Sequence, residues 1–125
     1  LSLLLDSHTA LWWLLDSPRL SRAARAAITT PGRTAFVSAL ASYELGLKRR
    51  LGKLRDMPGD FSAACLTAGF RELAVTSMHA RYAADLPLVH RDPWDRMLVA
   101  QANVEGLTLV SADEALLAYG VAMIW

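Results

Sequence analysis

Five carboxylates in this sequence fall where side chains could converge: Asp6, Glu44, Asp92, Asp95 and Asp113. Asp6 ends the apolar run Ser2 to Leu5, which is too short for a helix and reads as a buried strand. Asp113 follows a second candidate strand, Leu107 to Val110, within Ser111-Ala112-Asp113. Each of the two also suits a helix N-cap, the more ordinary use of an isolated Asp. Glu44 carries more weight. At about 100° per residue it lies roughly 40° from Leu40 and roughly 60° from Leu47, inside the apolar stripe Leu40, Tyr43, Leu47, Leu51 of its helix. An inward carboxylate must be paired, protonated or bound to a cation. Lys48, four residues on, offers a helical ion pair, but a surface-type pair gives little reason to turn Glu44 inward, so a metal is the stronger expectation. Asp92 fits an N-cap ahead of Pro93, and Asp95 at the third helical position borders the apolar face, able to reach the rim that holds Asp6.

What the chain lacks narrows the chemistry. His8, His79 and His90 stand at no zinc-ligand spacing and there is one cysteine, Cys65, so oxygen ligands dominate and favour magnesium or manganese. There is no GxxxxGK[ST], no GxGxxG and no GxSxG. Three or four carboxylates around one or two magnesium ions suit phosphodiester hydrolysis by activated water. A polyanion would find a basic segment at Lys48, Arg49, Arg50, Lys53 and Arg55, although the same residues suit the solvated C-terminal end of a helix stopped at Gly52.

The elements that must position these residues follow from periodicity and punctuation. After the first strand, a helix spaced by Thr9, Leu11, Trp12 and Leu15 runs to Pro18, and Ser21 caps a second through Ile28. Ala35 to Val37 is a strand, and Ser38 begins the helix of Glu44. Pro58 and Gly59 open a helix to about Ala68, Leu73 to Val75 is a strand, and Ser77 caps a helix through Ala84. Asp92 caps a helix that ends at Gly106, with Trp94, Met97, Leu98 and Val104 on its apolar face. Leu107 to Val110 and Val121 to Ile124 are the last strands. Apolar strands alternating with helices predict an α/β fold, a mainly parallel sheet between two helical layers. In such sheets ligands bind at the carboxyl ends of strands, where the strand order reverses.

The 125 residues, 54% hydrophobic and with net charge +1, describe one folded domain over 1–125. The charge is uneven: residues 1–62 hold nine Lys/Arg against five Asp/Glu, and residues 63–125 hold four against seven. A lone cysteine excludes an intrachain disulfide and fits a reducing, cytoplasmic setting. No apolar run approaches the roughly 20 residues of a membrane span. Asp6 interrupts the leading leucines, which argues against a secretory leader, and residues are expected to be missing before Leu1.

Four ordered blocks with an acid in each now stand together: Leu4-Leu5-Asp6-Ser7-His8 with Leu11-Trp12-Trp13; Val37-Ser38 through Tyr43-Glu44 to Lys48-Arg49-Arg50-Leu51-Gly52-Lys53-Leu54; His90-Arg91-Asp92-Pro93-Trp94-Asp95-Arg96 with Ala100-Gln101-Ala102; and Leu107-Thr108-Leu109-Val110-Ser111-Ala112-Asp113. Over nearly the whole chain this resembles the PIN-domain ribonucleases, specifically VapC-type toxins. The resemblance implies a PIN-like fold and a magnesium-dependent endoribonuclease, manganese being an alternative metal, that acts as the toxin of a toxin–antitoxin pair. Asp6, Glu44 and Asp95 match the family's central acids, and Asp113 the more variable fourth. Ser7, Asp92 and Ser111 are carried as supporting residues, and Lys48, Arg49, Arg50 and Lys53 as RNA contacts. Implied partners are RNA, an antitoxin protein and a second copy of the chain. Ser7 departs from the family's usual Thr. The contrasting expectation is a non-catalytic module that binds RNA or a partner, its acids being caps and ion pairs. A phosphoacceptor domain is disfavoured, since no acid pair ends the first strand and no Lys follows Lys53.

Overall fold

The computed structural model describes all of residues 1–125. Five strands form one sheet: β1 (Leu3–Leu5), β2 (Ala35–Ser38), β3 (Arg71–Leu73), β4 (Thr108–Val110) and β5 (Met123–Ile124). Their order is β3-β2-β1-β4-β5, and every pairing is parallel. The helices are α1 (Ser7–Leu14), α2 (Arg22–Thr29), α3 (Leu40–Arg50), α4 (Phe61–Thr67), α5 (Ser77–Asp85) and α6 (Pro93–Glu105), with a 3-10 helix at Glu114–Tyr119.

Because successive strand residues point to opposite faces, the apolar runs divide between two cores. Leu3 and Leu5 of β1, Ala35 and Val37 of β2, and Val110 of β4 pack with α1, α2, α3 and α4 around Leu11, Ala24, Leu45, Phe61 and Phe70. Leu4 and Leu109 face the other way, onto Val99 and Ala102 of α6 with Leu116 and Val121. A strand buried on both faces has no polar side to show, which is why β1 reads Leu-Leu-Leu. The expected layered α/β fold is what forms. Its strand order reverses at β1, flanked by β2 on one side and β4 on the other, and the first residues beyond the ends of β1 and β4 are Asp6 and Ser111.

Several local expectations need correction. The third strand is Arg71–Leu73, not Leu73 to Val75: an edge position tolerates exposed Arg71 and Glu72, so pairing with β2 outweighs the apolar pattern. Thr76, not Ser77, caps α5, because the ring of His79 accepts the Thr76 N–H while the Thr76 hydroxyl accepts that of His79. Asp60 caps α4, and Ser38 ends β2 instead of starting α3. On α3 the buried face is Ala41 and Leu45, whereas Tyr43, Leu47 and Leu51 are exposed. The inward position of Glu44 therefore has another cause, described below. No helix is long and apolar enough to cross a membrane.

Candidate active site

A cleft of about 230 Å³ opens at the carboxyl ends of the strands. Asp6, Glu44, Asp92, Asp95 and Asp113 all line it, with Ser7 and Lys48. Four elements thus deliver the five acids: the turn after β1, helix α3, the start of α6 and the turn after β4. Ser111 is buried behind the rim, where its Oγ accepts the Asp113 N–H at 3.1 Å and shapes that turn. Arg49, Arg50 and Lys53 lie outside the cleft and are exposed, so only Lys48 of the basic segment reaches it.

Capping and site-forming prove compatible in the aspartates. Asp6 Oδ1 accepts the Thr9 N–H at 2.6 Å as the α1 N-cap, and Asp113 Oδ1 accepts the Ala115 N–H at 3.1 Å. Asp92 Oδ1 accepts the N–H groups of Trp94 and Asp95 at 2.9 and 3.4 Å. In each residue the cap occupies one carboxylate oxygen and fixes the rotamer, while Oδ2 makes no hydrogen bond to the protein. Glu44 differs. Its Oε1 accepts from the Ser7 hydroxyl at 2.9 Å and its Oε2 faces Lys48 Nζ at 3.0 Å, so both oxygens are engaged. With 16% of its side chain exposed, Glu44 is turned into the cleft by these two partners and not by an apolar stripe.

The crowding of charge has a consequence at Asp95. Burial first, then the neighbouring carboxylates of Asp92 and Asp113, push its carboxyl up to about 6, against the opposing pull of His90. His90 Nε2 lies 2.8 Å from Asp95 Oδ2 and 4.0 Å from Asp113 Oδ2. Burial and then the Lys48 charge lower the pKa of His8, which also lines the cleft, so its ring is neutral at pH 7.

His90, His8, Ser38 and Gln101 were not assigned to the site from sequence. His90 has no spacing signal, because Arg96 carries it there. That guanidinium donates to the carbonyls of Ala83, Leu86, Pro87 and His90 at 2.7 to 3.2 Å, and the Tyr119 hydroxyl donates to the same His90 carbonyl. Gln101 did carry a signal: it lies six residues after Asp95 with Leu98 midway, a row on one helix face, and all three line the cleft.

The donor set fits a hard divalent cation. Asp6, Asp95 and Asp113 come from three different elements, and each keeps at least one carboxylate oxygen clear of any hydrogen bond within the protein. Nearest ligand atoms of His90, Asp95 and Asp113 lie within 4.8 Å of one another, whereas Asp6 and Glu44 line the same cleft outside that group. Like charges so close are costly until a cation or a proton neutralises them.

The sequence profile of the PIN domain family matches residues 3–121. The chain is 33% identical over 117 residues to Ribonuclease VapC22 of Mycobacterium tuberculosis, which covers 92% of this chain and 89% of that protein. Its fold is similar to that in the VapBC2 structure from Rickettsia felis bound to a promoter DNA fragment, with a TM-score of 0.67, 11% identity, and 98% and 97% of the two chains covered. It is also similar to VapBC-1 from nontypeable Haemophilus influenzae, with a TM-score of 0.66, 12% identity, and 98% and 96% coverage. With a profile match over nearly its whole length and a ribonuclease relative at this identity, the chain belongs to the PIN-domain family, in its VapC-type group.

Proposed function

We propose that this protein is a divalent-metal-dependent endoribonuclease, the toxin of a toxin–antitoxin pair, with residues 1–125 acting as one unit. The observation that carries the reading is the convergence of Asp6, Glu44, Asp95 and Asp113 in one cleft at the switch point of the sheet. Magnesium or manganese held by Asp6, Asp95 and Asp113 would supply a water of lowered pKa and neutralise charge building up on the phosphate.

The protein's own groups do the rest. The backbone caps lock Asp6 and Asp113, and His90 holds Asp95, so that little rotamer freedom is lost on binding. Asp95, protonated below about pH 6, must give up that proton to hold a cation, so the site is expected to fill as pH rises. Glu44 holds Lys48 at the cleft wall through the 3.0 Å pair and is itself steadied by Ser7. From there the Lys48 ammonium meets a phosphate oxygen of the RNA, and Arg49, Arg50 and Lys53 extend the positive track along the outside. The neutral His8 ring adds no charge that would compete with the cation.

Solved relatives of this fold are toxin–antitoxin assemblies. For this chain we propose an antitoxin partner and a homodimer. The exposed apolar row Tyr43 and Leu47 of α3 with Leu51 at its C-cap, next to the cleft-lining Glu44 and Lys48, supports a protein contact there.

A manganese titration followed by thermal shift tests the centre. The parent is expected to be stabilised, and Asp95→Asn is expected to lose that gain. The saturated oxygens of Glu44 favour a second reading, a metal-independent binding module. Salt-sensitive RNA binding with no manganese shift in the parent would establish that reading and dismiss the nuclease.

A further inference from the structure

Gln101 on α6 is fully buried, and its side chain lines the cleft. Its Nε2 donates to the Ala74 carbonyl at 3.4 Å. Its Oε1 accepts nothing and is the one buried side-chain polar atom of the chain without a partner. Exchanging the amide nitrogen and oxygen would set two carbonyl oxygens against each other at Ala74, so the orientation is fixed by chemistry. Folded proteins leave few buried polar groups unpaired, and each one calls for a specific explanation.

An acceptor without a donor on its own chain, carried by a residue of the cleft wall, fits a donor that arrives from outside. Side chains on a helix lean toward its N-terminus, so Gln101 reaches back toward Asp95, with Leu98 between them on the same wall. The rim already holds five carboxylates, and a further anion there would add to the repulsion among them. A neutral carbonyl adds an acceptor without adding charge. Hydrated magnesium keeps several of its waters and needs acceptors for them beyond its direct ligands, and the ribose 2′-hydroxyl is the other O–H donor that an RNA substrate brings.

We propose that Gln101 is a positioning residue whose Oε1 accepts a hydrogen bond from an O–H donor entering the cleft, either water carried by a hydrated divalent cation or a ribose 2′-hydroxyl. The proposal rests on the nuclease reading above and assigns this residue a role within that site.

The test compares the full chain with Gln101→Met, which keeps length and shape but offers no acceptor, and with Gln101→Glu, which keeps the acceptor. Three quantities are read: melting temperature in EDTA, manganese affinity by calorimetry, and kcat/KM for an RNA oligomer against the same oligomer with a single 2′-deoxy sugar at the cleaved position. Gln101→Met is expected to melt in EDTA no lower than the parent, because the orphaned oxygen is gone. If the donor is water on the cation, manganese affinity falls roughly tenfold in Gln101→Met, does not fall in Gln101→Glu, whose acceptor remains and whose added charge attracts the cation, and the ribose preference is unchanged. If the donor is the 2′-hydroxyl, manganese affinity is unchanged and the ribose preference shrinks roughly tenfold. The proposal is overturned if neither quantity moves in Gln101→Met. It is also overturned if a lower melting temperature in EDTA accompanies every loss, which would make the amide a structural tie to Ala74. A parent that neither binds manganese nor cleaves RNA would remove the nuclease reading itself, an outcome distinct from both.

Discussion

Replacing Asp95 by Asn should stabilise the metal-free protein at neutral pH. In the folded chain this carboxyl titrates at about 6 against an ordinary 3.8. The folded state therefore binds the proton more tightly than the unfolded state, and stability falls as pH rises from about 3.8 through 6. A shift of that size corresponds to about 3 kcal/mol at pH 7.5, of which up to about 1 kcal/mol is returned when Asn forgoes the favourable interaction of an acid with the α6 N-terminus. The net gain is about 2 kcal/mol, or roughly 6–10 °C in melting temperature for a chain of this length. Melting curves of parent and variant in EDTA across pH 3.5 to 8 provide the assay, since titrating groups remote from Asp95 cancel in the difference. The gap should be widest above pH 6.5, narrow on acidification and close near pH 3.8. Saturating manganese at pH 7.5 should reverse the order, because only the parent regains binding energy, about 2.7 kcal/mol at a hundredfold excess over Kd. An Asn variant no more stable than the parent at pH 7.5, or a gap that does not depend on pH, would refute the picture of crowded acids awaiting a cation.

Three further outcomes follow from the packing. Burial pushes the Cys65 thiol up to about 11, so its labelling by a thiol reagent at pH 8 should be slow in the native protein and become rapid only on unfolding. Leu109→Ala, at a fully buried position on the α6 side of the sheet, should cost about 2–5 kcal/mol in urea unfolding; a loss below 1 kcal/mol would contradict the two-core packing. Arg96→Met removes the donor shared by five carbonyls between the end of α5 and the start of α6 and should cost about 2–3 kcal/mol while raising hydrogen exchange in residues 84–92, an effect absent if that segment is held by other contacts.

The sheet was legible in the sequence because its central strands are buried on both faces, leaving an uninterrupted apolar triplet at Leu3–Leu5 and a mostly apolar one, Thr108-Leu109-Val110, in β4. The rule that sites form at the carboxyl ends of strands then located Asp6 and Asp113. β3 was misplaced because its residues answer to one pairing partner and to solvent, not to a core. On α3 the stripe Tyr43, Leu47, Leu51 passed for a buried face although it is exposed, since hydrophobic spacing alone does not say which face meets the core. Glu44 lies in the cleft for a reason the apolar spacing does not carry: Ser7 and Lys48 turn it there. His90 meets Asp95 only because the loop before α6 folds back, and the orphaned carbonyl of Gln101 depends on the distant contact to Ala74, neither of which a helix or strand period reports.

RNA cleavage by the parent and by Asp6→Asn, each with magnesium and with EDTA, tests the central claim most directly. Asn caps a helix about as well as Asp, so the Thr9 contact and the fold should survive while the free anionic oxygen is lost. The account predicts cleavage by the parent that EDTA abolishes, yielding 5′-phosphate and 3′-hydroxyl ends, and a rate for Asp6→Asn at least about a hundredfold lower at unchanged melting temperature in EDTA. Cleavage that persists in EDTA, or an Asp6→Asn variant as active as the parent, would contradict it.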